Sequence, residues 1–202
     1  MKYLYLLSLT TLFIVGCAGN TKREIIETDP LAQYRDTLIG NFDGIHVDTL
    51  IAEPFGEKAE SLGPDDIYGD LYYNWRVYSK NGTVEELKLE DSTIGIKFVE
   101  EGDLDGDGQD EWGFVTEWPT SNWMVYNLYH NNNGKWELLI EPTSIWLDHI
   151  APEDNDYGVN SAEELIQKSE KKGYLKVKFS DVRNEGADFL LIDTLIQISH
   201  QP

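Results

Sequence analysis

One outline occurs three times along this chain of 202 residues, and it constrains the fold more than any other feature. Asn41-Phe42-Asp43-Gly44 through Asp48, Asp103-Leu104-Asp105-Gly106-Asp107-Gly108-Gln109-Asp110-Glu111, and Asp181-Val182-Arg183-Asn184-Glu185-Gly186-Ala187-Asp188 are each an Asp/Gly segment. Each leads into a run rich in β-branched or aromatic residues: Val47–Ala52, Trp112–Glu117 and Phe189–Leu195. Such runs read as strands. A second echo supports the first, because Asn74-Trp75-Arg76-Val77-Tyr78 matches Asn122-Trp123-Met124-Val125-Tyr126 at four of five positions. Each is followed by an Asn-Gly hairpin signal, Asn81-Gly82 and Asn133-Gly134. The implied unit is strand, loop, strand, hairpin, with segment starts at 41, 103 and 181 that leave room for a small sheet per unit.

This pattern predicts an all-β domain over residues 34–202, a small propeller-like or sandwich arrangement of strand-loop-strand repeats with one helix. The helix is expected at about 161–172, where Ser161 and Glu164 form a capping box, Leu165 and Ile166 an apolar face, and Gly173 the stop. Long loops are expected over Pro54–Gly69 and Pro152–Gly158. The chain has 16 basic and 37 acidic side chains, and its 41% apolar content suffices for a core. Its formal charge of -21 disfavours nucleic acid, whose phosphates need clustered Lys and Arg, and favours cationic partners and metal ions. A single cysteine excludes a disulfide framework and a thiolate zinc site.

The N-terminus reads as an address. Lys2 precedes the apolar run Leu4–Val15, which has the length of a secretory signal and is too short to span a bilayer. Residues 1–16 are therefore expected to be a signal peptide, and 17–33 a polar tether. Ile14-Val15-Gly16-Cys17 resembles the lipobox of bacterial lipoproteins. That resemblance implies cleavage before Cys17 and its acylation, so that more than one chain holds the protein to the membrane. Ala18, rather than Asp, then implies an outer-membrane address, on either the periplasmic or the outer face.

The segment at Asp103 has the chemistry of a metal loop. Hard cations such as calcium take six to eight oxygen ligands, and acids at alternate positions converge only where glycine lets the chain turn. Asp103, Asp105, Asp107 and Glu111 supply carboxylates, Gln109 a backbone carbonyl, and Gly108 the sharp bend. An EF-hand would need Glu at position 12, where this chain has Phe114. The segment instead resembles the calcium loop of FG-GAP and related secreted β-repeat proteins, which implies one structural calcium ion between two strands. Ile45 and Arg183 replace acids in the other two copies, so one ion is expected and not three.

Enzyme signatures are missing from the sequence. Paired acids such as Glu117 and Asp148 arise by chance among 37, and His46, His130, His149 and His200 have no metal spacing and are expected on the surface or in loops. Six tryptophans serve chiefly as core, with Trp118 and Trp123, beside the turn Pro119-Thr120-Ser121, left as candidates for stacking on a ligand. The expected function is a calcium-binding, non-catalytic envelope lipoprotein that binds another component. Its architecture is similar to that of acidic periplasmic lipoproteins that inhibit lysozymes or confer immunity to muramidase toxins, which implies a basic muramidase as partner. The alternatives are a glycan-binding surface lipoprotein accessory to polysaccharide uptake and, behind it, a hydrolase.

Overall fold

The repeated segments become three antiparallel sheets. The computed structural model describes residues 32–58, 73–89, 93–117, 121–150, 161–183 and 189–199. The first sheet is a meander of β1 (Asp36–Gly40), β2 (Asp48–Lys58), β3 (Tyr73–Ser79) and β4 (Leu87–Lys88). The second repeats that order with β5 (Gly95–Gly102), β6 (Glu111–Glu117), β7 (Trp123–Asn132) and β8 (Lys135–Leu138), and adds β9 (Thr143–Trp146) on β7. The third contains β10 (Ile166–Lys168), β11 (Tyr174–Ser180) and β12 (Leu191–Gln197). The three Asp/Gly segments hold equivalent places: they join β1 to β2, β5 to β6 and β11 to β12.

The fold is all-β, and among the described residues its three sheets are layered and none closes into a barrel. Sheet two lies between the others, because strand alternation sends its apolar side chains both ways. Trp112 and Phe114 of β6 pack with Trp75, Val77, Leu50 and Phe42 from the first unit. Val115, with Tyr126 and Leu128 of β7, packs instead with Leu165, Ile166, Leu175 and Val177 from the third. Gly113 is required between them, since a Cβ there would collide with the ring of Tyr126, whose hydroxyl crosses the strand to donate to Glu101. The ten residues of β7 split one edge, with β8 on Tyr129–Asn132 and β9 on Trp123–Tyr126.

Three expectations change. No helix forms at 161–172: Ala162–Glu164 is a single 3-10 turn, Ser161 makes no side-chain cap bond, and Ile166–Lys168 is β10. Two adjacent apolar residues make too short a stripe to hold a helix, while Leu165 and Ile166 are both almost fully buried once Ile166 pairs with Val177. Gly173, at φ +77°, then turns the chain into β11 rather than ending a helix. The loop expected from Pro54 begins later, because β2 continues to Lys58. Pro54 is tolerated there: its partner Trp75 directs its carbonyl to Leu89, so the missing N–H of Pro54 faces the side where β1 has already ended at Ala52. Third, the two Asn-Gly signals differ. Asn133 and Gly134, both at positive φ, make the two-residue turn between β7 and β8. After Asn81-Gly82, pairing resumes only at Leu87. That wider turn encloses the buried carboxylate of Asp48, which accepts hydrogen bonds from Ser79 Oγ and Thr83 Oγ1 at 2.8 Å and from Asn81 Nδ2 at 2.9 Å. Burial alone would raise its pKa, but these donors and the Thr49 amide hold it below the ordinary value.

Trp112 is fully buried, stacks on Tyr129 and Phe114, and meets Phe98 and Trp136 edge-on. Trp112→Ala is expected to cost about 3–5 kcal/mol in equilibrium denaturation, whereas Lys135→Ala at the exposed hairpin should fall within about 0.5 kcal/mol of the parent.

Candidate metal centre

The 103–111 segment is a chain of short local turns. Asp103 Oδ1 accepts from the Gly106 amide at 2.6 Å, Asp105 Oδ1 from Asp107 at 2.9 Å, and Asp107 Oδ1 from Gln109 at 2.7 Å. Gly106 and Gly108 sit at φ +88° and +92°, a region that side chains disfavour, which is why the coil needs glycine at these points. The coil brings Asp103 and Asp105 against Glu111, the first residue of β6, so that one oxygen from each lies within 4.8 Å of the others. This acidic trio can hold a metal ion.

Glu111 is the least ordinary member. It is 1% exposed. Its Oε2 accepts from the Leu104 amide at 2.6 Å and the Asp105 amide at 3.3 Å, while its Oε1 is buried with no hydrogen-bond partner. A buried carboxylate oxygen without a partner is costly unless a cation faces it. Burial pushes the Glu111 carboxyl up to about 8, with the charge of Asp105 adding to the effect. Asp105 is also raised, by burial first and by its neighbours Asp107 and Asp103, against the Asp107 amide and His130. Carboxylates that disfavour one another's charge are what a divalent cation neutralises. An all-oxygen donor set fits a hard cation and gives a soft metal neither sulfur nor imidazole.

The other residues of the loop tie it to the rest of the fold. Asp107 lies outside the trio, and its two oxygens accept from the amide and the side chain of Gln109. Gln109 Oε1 accepts from Asn131 Nδ2 at 2.9 Å, and the same Nδ2 donates to the Phe42 carbonyl at 2.8 Å. Asp110 joins the loop to the first repeat: its amide donates to the Asn41 carbonyl at 2.9 Å, and its Oδ2 accepts from the Asn41 amide at 2.6 Å. Lys168 of β10 donates to the Asp103 carbonyl at 3.1 Å. Asn41, Asn131 and Lys168 are supports that local sequence reading misses, since tertiary packing alone brings them to the loop.

In the first repeat, Asp43 accepts from the Ile45 and His46 amides and from the His46 ring, and these bonds lower its pKa to about 2. In the third, Arg183 makes a two-pronged contact with Asp181, Nε to Oδ1 at 2.7 Å and a second nitrogen to Oδ2 at 2.9 Å, where the guanidinium lowers the carboxyl pKa. Among the described residues an acidic trio occurs only at 103–111.

Trp123 is half-buried, with its ring centroid 5.1 Å from Trp146 and 4.6 Å from Phe189, so it is engaged in packing beside β9. Trp118 and the lipobox with Cys17 lie outside the described residues. Among the described residues no helix is long and apolar enough to cross a membrane. His130 and His149 are buried, against the expectation of surface positions; the His149 Nδ1 meets Ser180 Oγ at 2.6 Å in the third-sheet core.

A folded Glu111 that keeps its proton to about pH 8, against an ordinary value of 4.5, makes the metal-free fold lose stability as pH rises through that window. Glu111→Gln is therefore expected to melt at least about 2–4 °C above the parent in chelator at pH 8.5, and to lose any stabilisation by divalent cations, so that the order reverses in their presence. Thermal melts at pH 5 and 8.5 check both halves. No family model matches the chain, nor does any curated protein or solved structure.

Proposed function

We propose that this chain is a calcium-stabilised, non-catalytic interaction protein of the cell envelope, anchored through lipid on Cys17 at the outer membrane. The observation that carries the calcium reading is the unpartnered, buried Oε1 of Glu111 beside Asp103 and Asp105. Calcium suits this surrounding better than magnesium. Magnesium demands near-ideal octahedral geometry and keeps several waters, whereas calcium accepts irregular sets of carboxylates and carbonyls. Glu111, at 1% exposure, gives little room for a water shell. The ion's role is structural: it secures the β5–β6 connection, which also carries the Asp110–Asn41 bridge to the first sheet. Acidic oxygens committed to a cation are not free to act as acid and base on a substrate.

The partner reading rests on charge. Without Lys2 the mature chain carries 15 basic against 37 acidic residues, close to -22. A surface of that sign steers a basic protein to itself and repels polyanions. The resemblance of the leader and the loop to envelope lipoproteins makes a basic muramidase the partner class proposed.

The test is a melt of the full chain in chelator, in calcium and in magnesium, beside Asp105→Asn. Calcium at about 100 times its Kd stabilises the parent by about 2.7 kcal/mol; Asp105→Asn should lose most of that gain, and equal midpoints for the parent in calcium and chelator would sink the calcium reading. In a separate assay at low salt, basic muramidases should be bound and inhibited, with affinity falling as salt rises. A panel left uninhibited removes the partner and leaves the metal site standing.

A further inference from the structure

The calcium loop forms one wall of a cavity of about 300 Å³ whose other wall is the β10–β11 hairpin. Its lining includes Leu104 and Asp105 of the loop, and Lys168, Lys171, Lys172 and Tyr174 of the hairpin. Positive charge is scarce in this chain, yet five of its 16 basic residues fall within the stretch 168–178. Three of those five line this cavity. Two are held in place: Lys168 Nζ donates to the Asp103 carbonyl at 3.1 Å, and Lys171 Nζ lies 3.4 Å from the centre of the Tyr174 ring. Buried Leu175 and Ile198 make an apolar floor.

We infer that this cavity binds a phosphate monoester, and that it does so only when the neighbouring loop holds its cation, an inference that rests on the calcium reading above. The lining sets the three lysines against the carboxylates of Asp105 and Glu170. A divalent cation held by the trio offsets the charge of Asp105, the one trio member in the cavity wall. The anion then meets ammonium groups, which recognise phosphate as point charges, beside a loop whose negative charge has been reduced. Without the cation, the Asp105 carboxylate in the wall repels the ligand. The cavity accommodates a headgroup-sized phosphate ester, which can come from a free metabolite or from a lipid.

Calorimetric titration of the full-length chain with glycerol 3-phosphate tests this, in calcium and in chelator, with melts of the same samples recording whether calcium is bound. Binding is expected in calcium, and it should weaken by at least about tenfold in chelator and in Lys171→Gln/Lys172→Gln. Both lysines are exposed and lie outside the trio, so the double variant should keep its calcium-dependent melt. A second arm uses dihexanoyl phosphatidic acid below its micelle concentration: tighter binding than glycerol 3-phosphate identifies a lipid headgroup as the source, and equal binding a free phosphate ester. If calcium raises the melt while neither phosphate binds, or the double variant binds as the parent does, the phosphate site is overturned and the calcium reading survives. If calcium leaves the melt unchanged, both fall.

Discussion

A carboxylate buried at the head of the central strand must be neutralised, and much of the molecule is arranged around that requirement. Glu111 opens β6, the strand whose following residues supply Trp112 and Phe114 to one core and Val115 to the other. One of its oxygens fixes the loop by accepting from Leu104 and Asp105. Its neighbour Asp110 binds Asn41 and so ties the first sheet to the second. Charge, loop conformation and strand placement therefore cannot change independently: a loop that relaxes away from Glu111 also loosens the contact between the first two repeats.

The three repeats meet one electrostatic problem in different ways. Asp181 of the third has a guanidinium two residues on, a fixed charge supplied by the chain itself. Asp43 of the first has amide donors and the His46 ring. In the middle copy, Asp105 stands where the third copy has Arg183, and the carboxylates converge. Internal charge compensation is indifferent to the surrounding solution, whereas a trio of acids makes stability depend on which ions are present.

Much of this was legible in the sequence because its signals are local. The strand runs after each loop, the Asn133-Gly134 turn and the alternating acids depend on near neighbours, and they appear where their chemistry puts them. The helix expected at 161–172 failed for a non-local reason: capping residues near Ser161 gave a helical appearance, but burial of Leu165 and Ile166 against β11 and the central sheet decided the conformation. The division of the loop also needed the fold. Asp107 has the same spacing as its neighbours, and only the fold shows that the Gln109 side chain it accepts from is also held by Asn131 of β7. The lysines near the C-terminal end of the expected helix are instead the tip of a hairpin and the wall of a cavity.

The trio also bears on the order of events as the chain folds. Asp103, Asp105 and Glu111 lie within nine residues on a single β-hairpin, so bringing them together closes a very short loop at little entropic cost. Hairpins form in about 1–10 μs, well before sheets that join distant segments. An ion captured at that stage would hold β5 and β6 in register as a template, against which the earlier repeat and the later one find their places, so the central unit can lead although it is neither first nor last in the chain.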